Sequence, residues 1–434
     1  MNRWLHIFHK YKDKEFIYII PIVLMSIKVR LDYVLYRFHS GKGIPYSDDS
    51  QWYLNYASAL MNNWKIGLHM NDILYLGYNL LLTLLMALFK DPKVVVIIQA
   101  VTAGLSVVLV YQIARILFNR LTAIIASLFF YDIWGITMWA SYILTDSFFI
   151  SLLLLCIYLL LMAFETKKKA YFVLFIVFSI YMLVFRPTGV VSLAFILFYI
   201  MYRKRLNVSV IASFIKKHKY IVGSAAALLA AVSIYLVAGH KLTPLIASIQ
   251  FNAKMVLYNI YAKGWIYDRA SSYDYAYRPD YRIDIMNSLV LSYMIHNWDH
   301  IMVLYGRRVI AFLGMWVWKT DVTHVRGIVK LFYNLLPTFL FIVGTVAAIV
   351  NGIFRRTSII WFTFFAVFAF CIVLFIDGMY RYKAPALPFI AIAAGYGAER
   401  LLYLAYLLAK QFSRKPVGKL VQLWDKKTNC DWLA

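Results

Sequence analysis

Charge is scarce in this sequence. Only 15% of its 434 residues are Asp, Glu, Lys or Arg, while 63% are hydrophobic. Mean hydropathy is +0.69, which excludes an ordinary soluble domain as the whole chain. Acids are scarcer than bases, 20 against 45, so net charge is +25. The bases cluster between apolar runs, which points to anionic headgroups and topology and not to nucleic acid. Cysteine is nearly missing. Cys156, Cys371 and Cys430 lie far apart, so neither a disulfide framework nor a metal spacing is present. The zincin form His-Glu-x-x-His, a Walker-type glycine loop and Gly-x-Ser-x-Gly are absent. That removes zincin chemistry, ATP use through a Walker loop and the nucleophile elbow. No Pro- or Ser-rich linker marks off a soluble domain, and no internal repeat of the inverted-repeat transporter kind is visible. The N-terminus has no small-residue cleavage site, so the first apolar segment is expected to stay as an anchor.

What the chain does have is a series of apolar runs, each long enough for a hydrocarbon core of roughly 30 Å. They lack the period-2 alternation of a spanning barrel. The expectation is an all-α integral membrane protein. Candidate spans are 16–38, 93–114, 121–140, 147–164, 170–185, 188–202, 220–238, 327–350, 358–376 and 384–408, with 71–89 and 301–318 ambiguous. Lys and Arg in short loops stay cytoplasmic. Placing the clusters Arg3–Lys14, Arg115 with Arg120, Lys167–Lys169, Arg203–Arg205 with Lys216–Lys219, Arg355–Arg356 and Arg400 onward inside gives one consistent parity. Residues 40–92 then form a first external loop, with 71–89 along or dipping into the membrane, and 239–326 forms a second. The expected divisions are a membrane module over 1–238, an external subdomain over 239–326, and membrane helices with a basic tail over 327–434. Asp48, Asp49, Asp72, Asp91, Asp146, Asp377 and six acids from Asp268 to Asp321 fall outside.

Four stretches could carry chemistry. In "IPYSDDSQWYLNYASALMNNW", Ser47 is placed to cap a helix, and Asp49, Tyr53 and Ala57 recur on one face. Asp48 and Asp49 have two readings. They suit a helix N-terminus, where each contributes about 0.3–1 kcal/mol, or they take a proton from an acceptor hydroxyl at the membrane surface. Asp146 opens the span "TDSFFISLLLL", either as its N-cap or as a functional acid. Arg186, in "FRPTG", sits at an outer turn, where it reaches headgroups or binds phosphate through its planar fork. In "DGMYRYKAPALPFIAIAAGYG", Tyr380, Arg381, Tyr382 and Lys383 form either an interfacial belt or an anionic-headgroup site. Trp298, Trp316 and Trp318 are expected to be interface anchors.

"DDSQWYLNYASALMN" resembles the first external loop of GT-C fold glycosyltransferases, in the branches of protein O-mannosyltransferases and lipid A aminoarabinose transferases. There an Asp is followed four residues on by Tyr and eight on by Ala, as Asp49, Tyr53 and Ala57 are here. The family's next residue is Glu, and here it is Ser50. "YLGYNLLL" resembles its Pro-Gly-Tyr-Pro stretch without the prolines. "VYQIARILFNRLTAIIASLFF" resembles its second-to-third span connection, and Asp146 stands near its Thr-Glu pair. Arg186-Pro187 and "YRYKAPALPFIAIAAGYG" resemble its Arg-Pro turn and late Arg-Tyr…Pro motif. The likeness covers roughly 16–205 and 358–408.

The resemblance implies a GT-C-type bundle of about ten transmembrane helices with juxtamembrane helices in the first loop. It implies an inverting transfer of sugar from a polyprenyl-phosphate donor to an acceptor glycan, lipid or protein on the outer face of the cell membrane. Asp49 is then the base with Asp48 in support, and Asp146 positions the acceptor or sugar. Arg381, Arg186, Lys383, Tyr380, Tyr382 and Tyr53 line the donor site. No cofactor is expected. A divalent cation on Asp48, Asp49 and Asp146 is the variant suggested by the oligosaccharyltransferase branch. Alternatives are a polysaccharide polymerase or ligase, and a lipid-linked saccharide transporter or flippase; the last predicts charges buried at mid-membrane, for which Arg30 and Asp32 are the candidates.

Overall fold

A computed structural model describes residues 14–64, 74–205, 213, 216–217, 219–240, 243, 277–314, 322–374 and 379–412. Among them every regular element is a helix. The order is α1 (Phe16–His39), α2 (Asp48–Asn63), α3 (Leu76–Phe89), α4 (Pro92–Leu117), α5 (Arg120–Asp132), α6 (Trp134–Trp139), α7 (Thr145–Thr166), α8 (Lys169–Leu183) and α9 (Pro187–Lys204). Then follow α10 (Lys219–Ala238), α11 (Leu289–His296), α12 (Trp298–Leu313), α13 (Val325–Val350), α14 (Phe354–Thr357) and α15 (Ile359–Ala369). A π turn over Phe370–Leu374 extends α15, and α16 (Met379–Tyr382) and α17 (Leu387–Phe412) close the series. By length and composition α4, α7 and α13 can cross a membrane, and α3, α8 and 359–372 are shorter apolar helices.

The expected spans coincide with helices, with three differences, one being that 384–408 opens on a 3₁₀ turn over Ala384–Ala386 before α17. The run 121–140 is broken at Ile133 into α5 and α6, because Ile133 leaves the helical region at φ −68° and ψ 98°. The run 358–376 is α15 plus a π turn, a widened coil that apolar counting cannot see. The ambiguous run 71–89 contains α3, which packs on α2 and α4, and 301–318 contains most of α12.

Helix α4 is the hub, flanked by α1, α5 and α7, while α17 packs on α5 and α13, and α9 on α15. The α13–α17 contact is backbone-close. A Cβ on Gly344 would strike the Ala393 carbonyl, and one on Gly397 the Leu340 carbonyl. Sidedness is built into α7. Asp146 stands at its start. At its far end Glu165 takes bonds from Arg203 (3.2 Å) and Arg356 (3.3 Å). Nineteen residues at 1.5 Å each separate the two ends by about 28 Å. The basic clusters at 203–205 and 355–356 thus gather at the end opposite Asp146.

Candidate active site

Helix α2 begins with reciprocal caps. Ser47 Oγ accepts from Ser50 N (3.2 Å), and Ser50 Oγ accepts from Ser47 N (3.3 Å). Ser50, standing where the resembled family has Glu, closes this capping box. The first turn then presents Asp48 outward and Asp49 inward. Asp48 is exposed, and Asp49 is half-buried with its side chain 46% accessible.

The remaining charges come from chain ends far apart in sequence. The turn between α8 and α9 carries Arg186. Its shape is fixed by Pro187 at the first position of α9 and by a bond from Gly189 N to Arg186 O (2.8 Å). A side chain on Gly189 would run into the Met182 carbonyl. The turn carrying Arg381 and Lys383 rests on α6 and α12.

These parts meet in one line. Arg381 Nη1 donates to Asp49 Oδ2 (2.5 Å), and its Nε donates to Asp146 Oδ2 (2.9 Å). Arg186 Nη1 donates to Asp146 Oδ1 (2.5 Å). Asp146 is 0% exposed, Arg186 1% and Arg381 13%. The line therefore runs from the half-open Asp49 into the interior. The Tyr382 ring lies under both cations, 4.9 Å from the Arg186 guanidinium and 5.3 Å from that of Arg381. Nη2 of Arg186 is buried and donates to nothing among the described residues, and Thr145 Oγ1 is likewise buried without a partner.

An aromatic wall flanks Asp49. Tyr53 is buried, with ring centroids 5.8 Å from Tyr75 and 4.8 Å from Tyr78. Trp52 lies 6.0 Å from Tyr75. Burial first, then the Tyr75 phenol, raises the pKa of Tyr53. Burial also raises Tyr75, against the pull of Arg186 and Arg381. Both phenols therefore stay protonated at neutral pH and are hydrogen-bond donors, not bases. Gln99 of α4 supports this wall from behind. It accepts from Tyr78 OH (3.4 Å), donates to the Tyr142 carbonyl (2.6 Å), and its own carbonyl accepts from Ser147 Oγ (3.1 Å). It thereby holds the turn that leads into Asp146.

Two sequence expectations need correction. Asp146 is not an N-cap: α7 begins at Thr145, and both carboxylate oxygens go to arginines. Arg186 does not reach for external headgroups, because it is buried on Asp146. Lys383 is also buried, with its bonds directed to the Phe312 (3.3 Å) and Gly314 (3.2 Å) carbonyls at the end of α12. Burial lowers its amine to about 7. The backbone of Tyr380 lies in α16, and its side chain lies outside the described residues, as do Asp72, Asp268, Asp274, Asp321, Asp377, Trp316, Trp318 and Cys430. Sequence reading did not single out Tyr75, Tyr78 or Gln99. The Pro-Gly-Tyr-Pro likeness at "YLGYNLLL" was the available signal for the tyrosines, and an isolated polar residue inside the apolar α4 was the signal for Gln99.

The cluster does not suit a divalent cation. Both oxygens of Asp146 and one of Asp49 already accept from guanidinium groups, and among the described residues no three His, Cys, Asp or Glu side chains gather for a metal. The charges of α1 have partners of their own. Arg30 donates to Ser26 O and Ser26 Oγ (2.8 Å each), and Asp32 pairs on the exposed face with Lys28 (2.5 Å).

Residues 76–235 match the family described as dolichyl-phosphate-mannose-protein mannosyltransferase. The motif resemblance and this match agree on the same group of membrane glycosyltransferases. Two solved structures of the Archaeoglobus fulgidus oligosaccharyltransferase are similar. One, in complex with an inhibitory peptide and a dolichol-phosphate, is 12% identical at TM-score 0.47, covering 97% of this chain and 54% of that one. The other, tethered to an acceptor peptide, is 13% identical at TM-score 0.48, covering 92% and 51%. The chain thus spans about half the length of these proteins. No curated protein matches it.

Proposed function

We propose that this chain is a multi-pass membrane glycosyltransferase. It moves a sugar from a polyprenyl-phosphate-linked donor to an acceptor hydroxyl on the non-cytoplasmic face, with inversion. The observation that carries the reading is the single line Asp49–Arg381–Asp146–Arg186, with a half-open carboxylate at one end and an unused guanidinium N–H at the other.

The chemistry follows from what each end offers. The acceptor oxygen bonds to the anomeric carbon as the bond from that carbon to the phosphate oxygen breaks, and the acceptor proton passes to Asp49. Asp49 is the carboxylate that solvent and an acceptor can reach, and its Oδ1 has no bond among the described residues. A positioned base contributes about 10²–10⁴-fold. The leaving phosphate gains charge, so fixed cations act where charge develops. Arg381 and Arg186 supply them, and Nη2 of Arg186 is a donor without another use. Asp146, buried between the two guanidinium groups, orients them and does not accept the proton. Asp48 points to solvent and supports only by its charge. Tyr53, Tyr75 and Tyr382 wall the sugar pocket. The outer face follows from the basic clusters at the opposite end of α7. One displacement inverts the anomeric centre.

The test supplies purified protein with a panel of polyprenyl-phosphate sugars and measures release of free polyprenyl phosphate. Asp49→Asn is expected to lose at least a hundredfold in turnover while keeping the wild-type unfolding transition, and Asp48→Asn to lose little. Full activity of Asp49→Asn removes the base assignment, and a product that retains donor stereochemistry removes the single displacement.

A further inference from the structure

The start of α3 and the end of α8 meet through their own backbones. Gly77 N, in the first turn of α3, donates to the Val184 carbonyl at the end of α8 (2.7 Å). The Tyr181 hydroxyl donates to the Gly77 carbonyl (2.8 Å). Helix starts leave amides without an internal partner and helix ends leave carbonyls, so the bond from Gly77 to Val184 satisfies one of each. The contact is too close for a side chain. A Cβ on Gly77 would lie 3.1 Å from the Tyr181 ring, 3.2 Å from the Val184 carbonyl oxygen and 3.3 Å from Phe185 Cα.

Both ends of this tie lead to the charged line. Gly77 lies between Tyr75 and Tyr78 of the aromatic wall, and Val184 lies two residues before Arg186. Phe185 fills the space between them. Its ring centroid is 5.4 Å from that of Tyr181, 5.8 Å from Tyr78 and 6.4 Å from Phe149. Phe149 in turn has the Arg186 guanidinium 5.7 Å from its centroid. On their other side Tyr181 and Phe185 border a cavity of about 450 Å³ between α3, α4, α7 and α8. Packing is open there, so the turn depends on the two hydrogen bonds for its place. The Tyr181 hydroxyl is the side-chain member of the tie, and it bonds to backbone and not to the charged line.

We propose that Tyr181 is a positioning residue for sugar transfer. Through Gly77 and Val184 it fixes the separation between the tyrosine wall, which holds the sugar, and the Nη2 donor of Arg186, which meets the leaving phosphate. This role rests on the proposed sugar transfer and deepens it. Sugar and phosphate are joined in the donor, so wall and guanidinium must keep one spacing. A displacement of about 1 Å in such a pair can cost about a hundredfold in rate. Arg186 acts on charge that develops as the bond breaks, so the loss falls on kcat and not on acceptor binding.

The test measures release of free polyprenyl phosphate by Tyr181→Phe, which keeps the ring and removes the hydroxyl, from the donor that the wild type uses. Its kcat is expected to fall about tenfold with acceptor KM unchanged. In an Arg186→Lys background, read by single turnover, the same change should cost less than about twofold, because the group it acts through is already altered. Tyr199→Phe is the control. It loses a like bond, to the Arg356 carbonyl at the opposite end of α7 (3.0 Å), and should keep the wild-type kcat. Hydrogen exchange read by mass spectrometry follows the tie without any substrate, and the Gly77 amide should exchange about tenfold faster in Tyr181→Phe. The proposal is overturned if Tyr181→Phe turns over like the wild type, if its loss falls on acceptor KM, if the loss is undiminished beside Arg186→Lys, or if exchange at Gly77 does not change. A wild type that releases nothing from any donor removes the transfer reading and this role with it. Normal wild-type release with any one of those four outcomes removes this role alone.

Discussion

Replacing Asp146 by Asn should cost the fold about 3 kcal/mol, and the reason can be worked from the line of charges. Two guanidinium groups and two carboxylates balance within it. Asn keeps the shape of Asp146 and one acceptor, but it leaves two cations facing a neutral group. Breaking a buried pair by removing one partner costs about 3–5 kcal/mol, because the other charge stays buried. Arg186, 1% exposed, bears that cost in full, since Asp146 is its carboxylate. Arg381 bears less, because Asp49 still meets it from the half-open side. The total therefore falls near the lower end of the range. The decisive measurement is a double-mutant cycle of Asp146→Asn and Arg186→Met, by reversible unfolding in one detergent. The double variant removes the orphaned charge as well as the pair, so it should be more stable than the two single losses predict, by about 2 kcal/mol. Additivity within about 0.5 kcal/mol would show that Asp146 and Arg186 do not meet, and the line itself would be wrong.

Gln99→Leu leaves the Tyr142 carbonyl and the Tyr78 hydroxyl without their partner. It should lower stability by about 1–3 kcal/mol, and an unchanged unfolding midpoint would refute its bracing role.

Much of the architecture was legible because apolar runs and caps are local. The runs gave the helices to within a few residues, and Ser47 capped α2 as its position suggested. The breaks were not legible. The break between α5 and α6 falls inside one apolar run, "RLTAIIASLFFYDIWGITMW", where Ile133 leaves the helical region. Among the site residues, Asp49, Asp146, Arg186 and Arg381 were readable as charges in an apolar chain, where any charge is expensive and asks for a reason. Their pairing was not. Sequence could say that Asp146 enters α7, but not that Arg186 and Arg381 arrive from distant turns to occupy both of its oxygens. The direction of Lys383 was equally hidden, since two residues of separation from Arg381 suggested a shared task.

The same pairing decides which contact yields when a phosphate arrives. Arg381 holds two carboxylates, and an incoming phosphate oxygen must compete with one of them. Asp146 has no access to water, so releasing it would leave a buried anion with only Arg186, a cost of several kcal/mol. Asp49 is nearly half exposed, and water can take over part of its charge. Asp49 is therefore the partner that gives way. Under the proposed function, binding of an anionic donor at Arg381 then frees the carboxylate that the acceptor needs. Neither carboxylate could do the other's work: a base must be releasable, and an anchor for two cations must not be. The difference between Asp49 and Asp146 lies in depth and not in chemistry, which is why two acids of the same type can divide the labour within one line of four charges.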